Sequence, residues 1–263
     1  MTKVVPGSVV VGFLDDHHWS ACFGLSLRDM YLRDATVGLG RMVRENGREL
    51  RKVAGTGGLP EGRNEVARDF LDTTDGEWLF FIDADMGFAP DTVDRLVDSA
   101  DPHRRPVMGG LCFAQRKIAT GPFHSARFGV IPTIYDFLET EDEVGFSPRP
   151  SYDKDSVIRA AGTGAACLLI HRRALLKIRK ASGDTWFNTI THPTGLRGGP
   201  RTFSEDLSFC VRLAQCDLPL HINTGVRTVH EKGGVFLEEA LFDMQQAAAA
   251  AEAAEVPSAV SAA

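Results

Sequence analysis

Two aspartates one residue apart, Asp83 and Asp85, follow directly on the apolar run Trp78-Leu79-Phe80-Phe81-Ile82. Two carboxylates that close repel each other unless a cation sits between or beside them. A hard divalent cation such as Mg²⁺ or Mn²⁺ takes oxygen ligands and commonly shares them with substrate phosphates. In a parallel α/β sheet, ligands bind outside the carboxyl ends of the strands. An Asp-X-Asp at the end of a buried strand therefore points to a metal–diphosphate site. Without a ligand, the same pair would only cap a turn and meet solvent. A second acidic pair, Glu205-Asp206, stands at the head of a helical stretch, where acidic residues also serve as ordinary caps. Arg63 and Asn64 open another helical stretch. A helix start is an anion site in its own right, and an arginine on a solvated helix end is the competing reading.

The elements that must position these groups follow from periodicity. Residues 8–14, SVVVGFL, are β-branched and apolar and predict a buried strand. The polar DDHH run at Asp15-Asp16-His17-His18 follows as a loop, and residues 19–34 predict a helix with Trp19, Phe23 and Met30 facing inward. A second strand is expected over 49–54, ending in the turn-former-rich GTGGLPEG. Val66, Ala67, Phe70 and Leu71 form one stripe of a helix over 63–72. The WLFFID strand comes next, then a helix opened by Pro90-Asp91 with Val93, Leu96 and Val97 as its apolar stripe. PVMGGLCF, 106–113, is another strand. Strand and helix alternate, which predicts a parallel, doubly wound α/β sheet.

The middle, about 114–157, is less regular and reads as a hairpin plus a surface loop. Small residues at 160–166 then lead into a strand, 165–171, and a basic helix. SEDLSFCVRLAQC, 204–216, predicts a helix, while PLHIN and GVRTVHEKGG predict short extended pieces. The alanine-rich tail after Gln245 offers little packing surface and predicts a frayed end.

Composition narrows the field. The 263 residues are 43% hydrophobic and 24% charged, enough for a packed core. A net charge of −6 argues against holding nucleic acid by broad electrostatics. The five cysteines form no CxxC pair, so buried thiols in a reducing compartment are expected rather than disulfides or zinc. The N-terminal residues lack the basic start and apolar run of a signal peptide, and no window approaches a membrane span. The expectation is a soluble, cytoplasmic protein without a transmembrane segment.

Taken in order, GRNEVARDFL, FIDADMGFAPDTVDRLV, GTGAACLLIHRRAL, SEDLSFCVRL and a late histidine, His230, resemble the GT-A glycosyltransferases, in particular the family-2-like branch of bacteria and their phages. The series covers about residues 8–235. The resemblance implies a Rossmann-like, mostly parallel central sheet flanked by helices, with a small antiparallel or irregular insertion. It implies one such domain over 1–245, with 246–263 as a frayed or disordered tail. It also implies transfer of a sugar from a nucleotide-diphosphate donor, UDP- or GDP-linked, to an acceptor hydroxyl, with a protein or glycan as the favoured acceptor. Asp83 and Asp85 match the DxD that holds Mn²⁺ or Mg²⁺ against the diphosphate, Asp85 being the more direct ligand. His230 matches the histidine that completes the metal shell, with His124, His171, His192 and His221 as other available imidazoles. Glu205-Asp206 matches the acidic pair whose aspartate is the general base in inverting members, although a retaining course stays open. Arg63 and Asn64 match polar residues that face the nucleotide. Gly162 and Gly164 match the close-packed floor beside donor and acceptor, and Trp186 and Phe187 are candidates for an acceptor platform or for the core. The DDHH loop departs from the family pattern, which leaves the nucleobase open.

Three rivals are weighed on residues. Haloacid-dehalogenase-like phosphatases also end a strand in DxD, but Gly87 stands where they carry Thr or Val, and two strands precede the motif here. Nucleotidyltransferases carry a glycine-rich basic loop after the first strand, where this chain has DDHHWS. A catalytically inactive sugar-nucleotide-binding module would not need Asp83, Asp85 and Asp206 all intact.

Overall fold

The computed structural model describes residues 4–37, 39–42, 49–118, 127–140, 143–192 and 199–255. In chain order the elements are β1 (Val5–Leu14), α1 (Ala21–Thr36), β2 (Glu49–Lys52), α2 (Gly58–Thr73), β3 (Gly76–Ile82), β4 (Met86–Phe88), α3 (Thr92–Ser99) and β5 (Val107–Leu111). There follow β6 (Phe113–Ile118), β7 (Arg127–Pro132), β8 (Tyr135–Glu139), β9 (Val144–Pro148), β10 (Val157–Ala160), β11 (Cys167–His171) and α4 (Arg172–Ser182). The last are β12 (Thr191–His192), β13 (Arg201–Thr202), α5 (Glu205–Gln215), β14 (Leu220–Lys232), β15 (Val235–Leu237) and α6 (Glu239–Glu255).

The main sheet has the order β10-β14-β5-β11-β3-β1-β2, with β4 and β15 paired to β14. β1 runs parallel to β2 and β3, and β14 runs parallel to β5. β11 lies antiparallel between β3 and β5, and β10 is antiparallel to β14. Five strands of that order therefore share one direction, as expected of a mostly parallel sheet.

Both faces are covered, which is why β1 and β3 read as unbroken apolar runs. The two-residue strand period sends Leu79 and Phe81 to one face and Trp78, Phe80 and Ile82 to the other. The first face packs against α2, α4 and α5 through Val66, Phe70, Leu175, Ile178, Phe209 and Leu213. The second packs against α1 and α3 through Phe23, Leu27, Met30, Val93 and Leu96.

The structure departs from the sequence expectations at several points. Helix α2 begins at Gly58, not at Arg63, because Pro60 sits in the first turn, where its missing N–H has no partner to lose. Arg63 and Asn64 thus belong to the second turn. Trp19 is not an inward residue of α1. It precedes the Ser20 N-cap and is 41% exposed, edge-on to Phe13 and Phe23. The middle segment holds two hairpins, β6–β7 and β8–β9, rather than one. The two extended pieces near the C-terminus are one long strand, β14, whose register shifts between Asn223 and Arg227. The alanines carry α6 on to Glu255.

Arg172, the first residue of α4, fastens the end of α2. Its buried guanidinium donates to the carbonyls of Phe70, Leu71, Thr74 and Gly76 and lies over the Phe70 ring. The last carbonyls of a helix lack intrahelical donors, and a cation there also meets the negative end of the dipole. Arg172→Met should lower the unfolding free energy by about 3 kcal/mol, the scale for stranding several buried acceptors. Arg172→Lys should recover only part of it, because one ammonium cannot reach the same acceptors. Urea titration of the three proteins checks this.

Candidate active site

Asp83 and Asp85 lie just beyond the carboxyl end of β3. The pairing of β3 with β11 carries one residue past Ile82, where Asp83 N–H donates to Ala166 O, its partner in register, at 3.1 Å. The chain then turns, with Met86 N–H donating to Asp83 O at 3.1 Å, and enters β4. That turn sends the two carboxylates to different neighbours.

Asp83 faces inward to Arg63, whose Nη2 lies 3.1 Å from its Oδ1. Arg63 is 3% exposed, with Phe81 and Phe187 flanking its guanidinium at 5.5 and 6.0 Å. Its Nε lies 3.7 Å from Asp206 Oδ1 and 3.9 Å from Glu205 Oε1. Both acidic residues occupy the first turn of α5, behind the Ser204 N-cap. One buried cation thus gathers the aspartate after β3 and the acidic pair of α5. Arg63 Nε and Nη1 and Asp206 Oδ1 are buried without a hydrogen-bond partner, so the cluster is not fully satisfied from within the protein. Burial pushes the Asp206 carboxyl up to about 6, with Glu205 and Asp83 adding to the rise and Arg63 opposing it.

Asp85 faces His230 and Lys232. Pairing of β4 with β14 brings them together across 145 residues of chain: Met86 is the partner of His230, and Glu231 N–H donates to Asp85 O at 2.9 Å. His230 Nε2 lies 3.2 Å from Asp85 Oδ2, and its Nδ1 lies 3.0 Å from Phe113 O. A carbonyl only accepts, so Nδ1 carries the proton. Nε2 then presents a lone pair to a carboxylate oxygen, and either a second ring proton or a cation must reconcile the two. Asp85 Oδ1 is buried without a partner. Lys232 Nζ reaches Oδ2 at 2.6 Å. Burial raises the Asp85 carboxyl, but hydrogen bonds from His230 and Lys232 outweigh it and hold the group at about 2. A carboxylate with one oxygen unpartnered and the other beside an imidazole nitrogen is a donor set suited to Mg²⁺ or Mn²⁺, which need few protein ligands when phosphates supply the rest. Among the described residues no group of three or more His, Cys, Asp or Glu side chains forms a complete cage.

The GTGAA segment passes between the two aspartate environments. Ala166 O holds Asp83 N–H, and the Ala165 N–H lies near the Asp206 carboxylate and favours its ionised form. Gly164 lies beside Asp206, and a Cβ there would stand 3.6 Å from Oδ2. Gly162 is closed in by protein instead: a Cβ would meet the Phe146 ring at 2.7 Å.

Other expected residues fall elsewhere. Asn64 is buried, accepting from Phe187 N–H at 2.8 Å and donating to Asn188 at 2.5 Å. Both ends of its amide are thus taken up in fixing the loop that carries Phe187, which corrects the expectation that it faces a nucleotide. Trp186 and Phe187 are core residues, both fully buried, and form no platform. Asp15 is buried and bonded to Arg51 and the His17 N–H. His171 caps α4, His192 lies in β12, and His221 lies on β14 away from Asp85; His124 lies outside the described residues.

Lys232 is the residue that motif reading missed. Its signal was present: His230 and Lys232 are two apart on a strand, hence on one face.

No protein-family model matches the sequence, and no curated protein matches it significantly. Solved structures do match. GalNAc-T7, crystallised with UDP, GalNAc and Mn²⁺, aligns with a TM-score of 0.53 and 13% identity over 86% of this chain and 44% of its own. The fold is of the GT-A type. A197 from STIV aligns over 89% of this chain and 91% of its own at 13% identity, with a TM-score of 0.47. No helix of the described residues is long and apolar enough to cross a membrane.

The geometry ties Asp206 to Arg63. Arg63 stabilises the ionised carboxylate, so Arg63→Met should move the Asp206 titration upward from about 6. Stability at neutral pH should fall by about 3–5 kcal/mol, the usual consequence of breaking a buried ion cluster. Carboxyl-carbon NMR follows the first effect and urea unfolding the second. An unmoved Asp206 resonance would mean that Arg63 is not its partner.

Proposed function

We propose that this chain is a metal-dependent glycosyltransferase that moves a sugar from a nucleotide-diphosphate donor to an acceptor hydroxyl, with Asp206 as general base of an inverting displacement. The observation that carries the reading is that the turn after β3, in a GT-A-type sheet, presents Asp83 to the Arg63–Asp206 cluster and Asp85 to His230. Support also comes from GalNAc-T7, a protein of the same fold crystallised with UDP, GalNAc and Mn²⁺.

Asp85 and His230 would hold the divalent ion, which supplies charge to offset the negative charge growing on the departing nucleoside diphosphate. The residues of the chain do the rest. Asp206 accepts the acceptor hydroxyl proton as that oxygen forms its bond to the anomeric carbon. The carbon–oxygen bond to the diphosphate breaks, and the leaving group departs with the electron pair. A carboxyl titrating near 6 is well matched to this, being ionised at neutral pH yet more basic than a free aspartate. Arg63 holds Asp206 and Asp83 in fixed relation. Gly164 brings the GTGAA backbone close to Asp206, with no side chain between them.

Because the base works only when ionised, kcat/KM should rise with pH through about 6 and level off above it. Asp206→Asn should retain donor binding and lose about 10²–10⁴-fold in transfer, the range for removing a general base. The assay is a panel of UDP- and GDP-sugars with protein and glycan acceptors, preceded by thermal stabilisation with and without Mn²⁺. Asp85→Asn should abolish the metal-dependent part of that stabilisation. Transfer by Asp206→Asn at the wild-type rate would sink the base assignment, and no response to any donor would sink the function.

A further inference from the structure

The two aspartates each meet a cation of the protein, and the two cations differ in kind. Arg63 is enclosed, flanked by two rings and shared by three carboxylates, so it cannot leave. Lys232 is 50% exposed. It is the last residue of β14, directly before the turn at Gly233 and Gly234, both of which have positive φ, and pairs with Val235 across that turn. Its ammonium forms an ion pair with Asp85 Oδ2 at 2.6 Å. A lysine so placed has a free path into solvent and several rotamers to occupy there. It also stands on the oxygen that lies 3.2 Å from His230 Nε2, in the space where a shared cation would bind.

Resting on the metal reading above, we infer that Lys232 is a resident counter-cation of the metal carboxylate: it occupies Asp85 Oδ2 in the ion-free protein and competes with a divalent cation for it. Asp85 is thereby never an isolated half-buried anion, and the chain holds free divalent ions weakly. The ammonium released from Asp85 is then available to an anion, so an ion arriving with bound diphosphate has an advantage over the bare ion. Lys232 is a regulator of ion occupancy in this scheme and takes no part in bond making.

The test is the affinity of the full chain for Mn²⁺ alone, read from the electron paramagnetic resonance signal of the free ion. Lys232→Met should bind Mn²⁺ more tightly, on the order of tenfold, because a unit charge a few ångströms from a doubly charged ion near a surface opposes it by at least that much. Lys232→Arg, which keeps the charge, should stay close to wild type. Asp85→Asn should lose the ion in either background. Equal affinity of wild type and Lys232→Met, with loss in Asp85→Asn, would overturn the role of Lys232 and leave the metal site standing. Weaker binding by Lys232→Met would overturn it too, since the lysine would then support the ion. Absence of Mn²⁺ binding by all the proteins would bring down the metal reading itself, and the inference with it.

Discussion

A guanidinium buried to the extent of Arg63 must be matched by negative charge, because an unpaired ion inside a protein costs several kcal/mol. The match here is threefold: Asp83, Glu205 and Asp206. These come from the end of β3 and the head of α5, while Arg63 comes from the second turn of α2. Two consecutive elements, α2 and β3, and a third far along the chain, α5, are thereby held at one point. The dependence runs both ways, since three carboxylates would not converge without the cation. The account does not balance, however, with one positive charge against three negative ones. Part of that surplus appears in Asp206, whose carboxyl rises to about 6 through burial and its acidic neighbours despite Arg63. The electrostatics that hold the cluster together and those that raise the Asp206 carboxyl are one set of interactions.

The rest of the fold can be understood as what keeps that cluster in register. α2 must lie at a fixed height along the sheet, and Arg172 secures its far end by taking up the carbonyls that the last turn leaves over. β11 must deliver the small-residue loop to the end of β3, and its antiparallel pairing with β3, Cys167 opposite Ile82, does so. β14 must serve two neighbours. Its first half pairs with β5 and its second with β4, and the register shift between Asn223 and Arg227 lets one strand do both. A strand that turns from one partner to another in this way carries His230 and Lys232 out of the sheet to the carboxylate of Asp85.

Much of this was legible in the sequence, and the limits have physical causes. The DxD was readable because a fully buried strand leaves an unbroken apolar run, and polar residues right after it can only lie at the strand end. The head of α5 was readable from Ser204 and the acids behind it. Asn64 was misplaced because an amide that bonds backbone across 123 residues cannot be told from one that faces a ligand. Trp186 and Phe187 were ambiguous for the same reason: aromatic residues serve cores and sugar faces alike. The start of α2 was missed because glycines and a proline that usually make turns can also fill a first helical turn. The continuity of β14 was hidden by Gly225, which reads as a break in the sequence but lies within the strand, next to its change of partner. Long-range pairing of β4 with β14 left no local trace, so the meeting of Asp85 and His230 rested on resemblance until the structure supplied the geometry.

The strand that drives into two carboxylates can now be given a reason for both. Had β3 continued through Asp85, the aspartates would share one face and repel side by side. It stops because the chain turns there, with Met86 N–H donating back to Asp83 O, and that turn separates the pair. Asp83 is turned inward, where a fixed cation neutralises it and it helps to hold α2 and α5. Asp85, half-buried to the same degree, has the His230 ring and an exposed lysine as its neighbours. One aspartate is spent on building the site and the other is left available to it. The single residue between them is enough, because a turn rather than a strand joins them.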